Sequence, residues 1–366
     1  MCASRRLGAA QRGLSIIELM IGIVISLLVG LAASSSAMVF GAMQRQGLGA
    51  GAAVVSGATT LAQMKEDAAQ AGLGFFGNGA YMCSGLNLRV GATVLDQANF
   101  SPVRITRSGG QDQLDLVYAT AVAGGANVAL RTASNMGQAE LQTYLPANVG
   151  DAVLLAPAQL GAPCTARSVT AVVASTETTP QTLTFAATGL HNQGAAITNP
   201  ALYPIGARVS LLGALQWHRY RVAEGNLQLE LPLQAGANAT VVLVRNVVAL
   251  RVRLGIVALG TDTLQGWVEP DAAAPGGGTW GQPTDAADAQ RVRALRVNLV
   301  TRSPQAELAK AGQSCEATTA AIPLFDAADN LTLTPTDMGS TAWQCFRYRN
   351  NDMVIPLRNY IVGLRP

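Results

Sequence analysis

The sequence predicts an α+β protein: a long N-terminal helix, its first half transmembrane, packed on a β-rich antiparallel domain. Three observations predict this. A short basic stretch runs straight into about 30 apolar or small residues. Helical character then continues to Gly72, where a glycine suits the C-cap of a helix. From about residue 75 the pattern changes to short apolar runs broken by glycine and proline, the signature of strands and turns.

The first element is the most informative. Residues 1–13 carry Arg5, Arg6 and Arg12 and no acid. Between Leu14 and Met43 the one ionisable side chain is Glu18. The stretch from Leu19 to Met43 makes a helix of roughly 37 Å at 1.5 Å per residue, enough to cross a hydrocarbon core of about 30 Å. A cleaved secretory signal has an apolar region of only about 7 to 15 residues, so this one is too long. Glu18 needs a reason, because a charge inside a span costs about 2.5 to 3.5 kcal/mol at mid-bilayer and less near the interface.

Gly13, Leu14 and Glu18 in this setting resemble the class III signal of type IV prepilins. The resemblance implies that prepilin peptidase cuts after Gly13 and methylates the new N-terminus at Leu14. It also implies that Glu18 is kept for assembly with other pilins. Members of the family usually have Phe where this chain has Leu14. The physics agrees. A carboxylate in the first turn interacts favourably with the unpaired N–H groups there, by about 0.3 to 1 kcal/mol. It can also neutralise the amine of a neighbouring subunit in an apolar bundle. The alternative is an ordinary signal anchor with Glu18 at the membrane interface.

Charge and cysteines fit the same topology. The formal net charge is +3, and the three leader arginines account for all of it: without them 22 basic side chains face 22 acidic ones. The basicity therefore reads as a signal holding the leader on the cytoplasmic side, and no nucleic-acid partner is expected. Cys2 leaves with the leader, so Cys83, Cys164, Cys315 and Cys345 remain in a domain expected to face the oxidising periplasm. Four cysteines allow three pairings. Nearer partners close smaller loops at lower entropic cost, which favours Cys83–Cys164 with Cys315–Cys345, although the sequence leaves the choice open. The C-x₂₋₄-C spacing of a zinc site is absent, and no metal or other cofactor is expected.

Four segments follow: a leader at 1–13, a transmembrane and assembly helix at 14–43, the second half of that helix at 44–72, and a periplasmic β-rich domain at 73–366. The second segment of helix is weakened by Gly47, Gly49, Gly51 and Gly57, each costing up to about 1 kcal/mol relative to Ala. It recovers at Leu61, Met64 and Ala68, which share one face. A flexible linker is the alternative there. Strands are expected at Gln113–Ala121, Ala152–Leu155, Ser168–Ser175, Thr182–Phe185, Arg208–Leu212, Leu215–Val222, Leu227–Leu231, Val241–Val257, Arg291–Arg302 and Met353–Val362. Ala223-Glu-Gly-Asn226 reads as a hairpin loop. Pro270–Pro283 reads as a loop with no packing signal.

Later segments resemble the PilW group of minor pilins. They are Tyr220-Arg-Val-Ala-Glu-Gly-Asn-Leu, the strand after Asn246, Val292-Arg-Ala-Leu-Arg-Val-Asn-Leu-Val-Thr-Arg-Ser, and Tyr348-Arg-Asn-Asn-Asp-Met-Val-Ile-Pro-Leu-Arg-Asn359. Residues 84 to 205 carry little of this resemblance. Chemistry is sparse. His191 and His218 are the only histidines, and both read as satisfied or solvent-facing. Gly312-Gln-Ser-Cys-Glu316 looks like a nucleophile loop, but Cys315 is better explained as half of a disulfide. Gly276-Gly-Gly278 lacks the lysine of a phosphate-binding loop. Asp262, Asp271, Asp285 and Asp288 have no EF-hand spacing. Trp267, Trp280 and Trp343 read as core or loop anchors, with an exposed adhesive patch as the alternative.

The resemblance implies a non-enzymatic minor pilin of the type IV pilus, first in the inner membrane and then in the pilus. It would help to initiate assembly near the tip and support motility or adhesion. Its partners would be prepilin peptidase and other minor and major pilins. The alternatives are a J-like tip pseudopilin of type II secretion, or a signal-anchored periplasmic enzyme or binding protein.

Overall fold

A computed structural model describes residues 15–363 except 78–79, 82, 84, 91–92, 121–126, 135–136, 158–162, 193–202, 235–238, 308, 310–313, 327–330, 336 and 339–340. The chain divides into two compact units, Met1–Gly51 and Ala52–Pro366. One helix, Ile16–Gln70, passes through the boundary. In the first unit the segment Ile16–Ala37 has a mean hydropathy of 2.6 and no buried residue, so by length and composition it is a candidate membrane span.

In the second unit the same helix changes character. Gly57, Thr60, Leu61, Met64, Asp67, Ala68 and Ala71 are buried, while Ser56, Ala58, Thr59, Ala62, Lys65, Glu66 and Gln70 are exposed. Steps of three and four residues put the buried set on one stripe, as 3.6 residues per turn requires. That stripe enters the main core with Leu114, Leu116, Tyr220, Leu227, Leu250, Val252, Leu295 and Leu299.

These partners come from two antiparallel sheets. A five-stranded sheet runs Thr240–Arg245, Asn226–Glu230, Leu215–Ala223, Gln111–Ala119, Val103–Ser108. A four-stranded sheet runs Leu264–Val268, Val247–Val257, Val292–Arg302, Tyr348–Pro356. A six-stranded sheet holds Gly85–Val90, Thr93–Asn99, Asn127–Ala129, Ala152–Ala156, Cys164–Ser168 and Arg208–Gly213. Its strands are antiparallel except for the pair Gly85–Val90 with Cys164–Ser168. The fold class is therefore α+β, an N-terminal apolar helix with a β-rich antiparallel domain.

Three sequence expectations need correction. The single strand expected over Val241–Val257 is two, Thr240–Arg245 and Val247–Val257, which belong to different sheets. Asn246 between them sits at φ 58, a left-handed conformation that Asn tolerates better than most residues, and it turns the chain from one sheet to the other. The strand expected over Met353–Val362 ends at Pro356, and Arg358–Gly363 is helical. Proline lacks the N–H that would continue a ladder. The segment Pro270–Pro283 does pack, anchored by buried Pro270, Ala274, Trp280 and Gly281, with Trp280 only 5% exposed. Gly281 accepts a hydrogen bond from Ile105 N at 2.9 Å and covers the edge of the five-stranded sheet. A Cβ on Gly281 would come within 2.2 Å of the Ile105 carbonyl oxygen, so only glycine fits.

Candidate functional site

Of the three carboxylates on the long helix, the exposed Glu66 is ordinary surface, and the other two stand out. Glu18 lies in its first turn. Glu18 Oε2 accepts a hydrogen bond from Ser15 N at 3.2 Å, and Ser15 Oγ accepts one from Ile17 N at 3.3 Å. Side chain and hydroxyl thus satisfy two of the four N–H groups that a helix start leaves open. Around them Ile16, Ile17, Leu19, Met20, Ile21, Ile23 and Val24 are all at least half exposed. Gly13 and Leu14, expected to flank the cleavage site, lie outside the described residues.

Asp67, near the other end, is buried at 7% exposure. Tyr220 donates its hydroxyl hydrogen to Asp67 Oδ2, and Tyr118 donates to Oδ1 at 3.1 Å. His218 Nδ1 lies 2.6 Å from Oδ2. A carboxylate oxygen at that distance accepts, so Nδ1 carries the hydrogen and the tautomer follows from the network. Burial and the Asp67 charge both push the Tyr118 and Tyr220 phenols far above their ordinary range. Both hydroxyls therefore stay donors at any physiological pH. Tyr118, His218 and Tyr220 stand on adjacent strands of the five-stranded sheet, and the cluster fixes the helix in one register against it.

The helix end is fastened as well. Gly72 follows it at φ 83, and its N–H donates to the Val117 carbonyl at 2.9 Å. Asn359 Nδ2 reaches the carbonyls of Ala69, Gln70 and Ala71 at 3.2, 2.9 and 3.2 Å. These are carbonyls a helix C-terminus would leave unsatisfied. Next to it the Tyr360 hydroxyl accepts from Val103 N at 3.0 Å and shares a hydrogen bond with Ser101 Oγ at 3.0 Å.

Cys83 is bonded to Cys164, and Cys315 to Cys345. Among the described residues no group of three or more His, Cys, Asp or Glu side chains is placed to hold a metal ion. Asp288 instead accepts from Gly276 N at 2.6 Å. His191 is buried in its loop, and burial lowers its pKa. Trp280 is core, and Trp343 packs beside the cluster of Val248, Val300 and Leu324.

Sequence reasoning missed the Asp67 cluster, although a signal for it existed. Asp67 is the one acid on the helical stripe that also holds Leu61, Met64 and Ala68. His218 and Tyr220 alternate on one strand, so they face the same way.

Residues 214–359, 146 of the 366, match the family model described as Type IV Pilus-assembly protein W. The match takes in the hairpin, the central strands of the four-stranded sheet and Asn359. No curated protein sequence matches the chain. Among solved structures a type IV-like pilin from Thermus thermophilus is similar at 10% identity and a TM-score of 0.31, covering 84% of this chain and 97% of that one. The PilW match over these residues supports a type IV pilus-related pilin.

Proposed function

We propose that this chain is a minor pilin of the type IV pilus, a non-enzymatic subunit that helps to initiate pilus assembly near the tip and so supports motility or adhesion. The observation that carries the proposal is the PilW match over residues 214–359, on a chain whose N-terminal helix is bare, apolar and marked by one first-turn carboxylate. On this reading residues 1–13 are a leader cut by prepilin peptidase, and Leu14 becomes the methylated N-terminus. Residues 14–43 span the inner membrane and residues 73–366 face the periplasm. Residues 44–72 continue the helix.

Assembly follows from what the helix lacks. An apolar helix in lipid gains little by leaving lipid for other apolar helices, so a polar contact must set the register. Glu18 supplies it by pairing with the N-terminal amine of a neighbouring pilin, where either charge alone in hydrocarbon is costly. The inner membrane is the first location and the pilus the second.

The test is the N-terminal mass of the protein from cells with and without prepilin peptidase. The expected result is a start at Leu14 with one added methyl group, replaced by the uncut leader when the peptidase is missing. An intact Met1 in both strains, or a cut near Ala33–Ala37, overturns the proposal.

A further inference from the structure

The outer face of the four-stranded sheet is covered by the segment between its last two strands. Ile322, Leu324, Leu333 and Met338 of that segment pack on Val248, Ala249 and Val300. Beyond this apolar patch lies a polar row. Arg251 stands directly across from Asn298, and Asn298 across from Asp352. In the next row Arg253 faces Arg296. Phe325 lies against both guanidiniums at 5.1 and 5.4 Å.

Most of this row is paired. Arg253 bonds Glu269 at 2.5 Å. Arg296 bonds Asp326 at 2.6 Å and also holds Asp352. Asn298 is different. It is 0% exposed, and among the described residues neither its amide nitrogen nor its amide oxygen has a hydrogen-bond partner. The buried Nη1 of Arg251 across from it has none either. The carboxylate nearest to Arg251, on Asp337, is 3.8 Å from Nη2, beyond hydrogen-bond length. Three orphaned polar atoms on two facing side chains are unusual, because about nine in ten buried polar groups find a partner.

We infer that Arg251 and Asn298 together hold one buried water molecule at the seam between the sheet and its covering segment. The donor count selects the ligand. Arg251 Nη1 and the Asn298 amide nitrogen both need an acceptor, while the Asn298 oxygen needs a donor. Water supplies both, and an anion cannot donate. Charge points the same way. The three guanidiniums already face four carboxylates, Glu269, Asp326, Asp337 and Asp352, so an added anion would be repelled. Facing side chains on paired antiparallel strands have Cβ atoms about 5 Å apart, and buried waters in such settings make about three hydrogen bonds. The seam is thus closed by a solvent bridge beside its apolar patch.

The test uses full-length protein in detergent, with Asn298→Leu, Arg251→Met and the double variant compared by thermal unfolding. Leu keeps the approximate shape of Asn and removes both orphaned atoms. A bridged water loses its partners, so each single variant is expected to lower Tm by about 2–5 °C. The double variant is expected to lower it by less than the sum, since both lose the same ligand. A rise in Tm for Asn298→Leu overturns the inference, because deleting polar atoms from a dry site stabilises. A high-resolution crystal structure of the unaltered protein decides independently of how the variants fold. Oxygen density within hydrogen-bond reach of both side chains supports the site, and none there rejects it.

Discussion

Glu18 and Asp67 sit on one helix and have opposite surroundings. Asp67 takes hydrogen bonds from Tyr118 and Tyr220 and lies against His218, all from strands about 50 to 150 residues away. Among the described residues Glu18 bonds only Ser15 N at the start of its own turn, and it is ringed by exposed apolar side chains. A carboxylate whose partners are built into its own chain is a fastening. On the function proposed above, one that the chain leaves with an apolar surround is a contact reserved for another molecule. On that proposal the difference separates stability from assembly along a single element.

Removing Asp67 should break the fastening and give the largest loss of stability. Asp67→Ala strands two buried hydroxyls and a histidine N–H, which costs about 3 kcal/mol on the scale of buried pairs that lose one member. Thermal unfolding of the full-length protein in detergent should fall by on the order of 6–10 °C, while membrane insertion stays normal. An unchanged Tm would mean that the cluster holds nothing.

The fastening of the helix end can be probed by pH. Burial pushes the Tyr360 phenol up to about 12 from an ordinary value of 10.0. The folded state therefore holds this proton more tightly than the unfolded one. The stability it contributes is complete below pH 10 and is lost as pH rises through 10 to 12. The full amount is about 2 to 3 kcal/mol. Tyr360→Phe should be weaker near neutral pH, having lost the contacts with Ser101 and Val103. It should also show a shallower alkaline decline than the parent, measured as Tm against pH. Equal slopes in the two proteins would rule out Tyr360 as the group responsible.

The two ends of the helix also differ in how far they could be read from sequence. The apolar helix from Ile16 was legible because its signal is local, one unbroken run of apolar and small residues with a single acid in its first turn. The helix bounds came out nearly where expected, and Gly72 occupies the left-handed position that a helix stop calls for. Hairpin geometry was legible for the same reason, since Glu224 and Gly225 both have positive φ in a two-residue turn. The Asp67 cluster was not. Its members meet only once the five-stranded sheet forms, and nothing near Asp67 in sequence names Tyr118 or Tyr220. Trp280 reads rightly as a core or loop anchor, but the packing of its glycine- and proline-rich segment was not legible, because Gly281 there lets the backbone press against Ile105.

Changing Glu18 should leave stability untouched, which makes it the sharpest test of the comparison. Glu18→Ala removes one weak contact to Ser15 N at an exposed site, so Tm of the C-terminal unit should not move and the protein should still fractionate with membranes. The effect should appear only when subunits meet. Losing one partner of a buried charge pair costs about 2 kcal/mol or more, roughly a thirty-fold loss of affinity at that contact. The protein recovered with sheared pili should drop accordingly. Normal recovery of Glu18→Ala would show that the first-turn carboxylate is only a helix cap, and the contrast with Asp67 would then be one of burial alone.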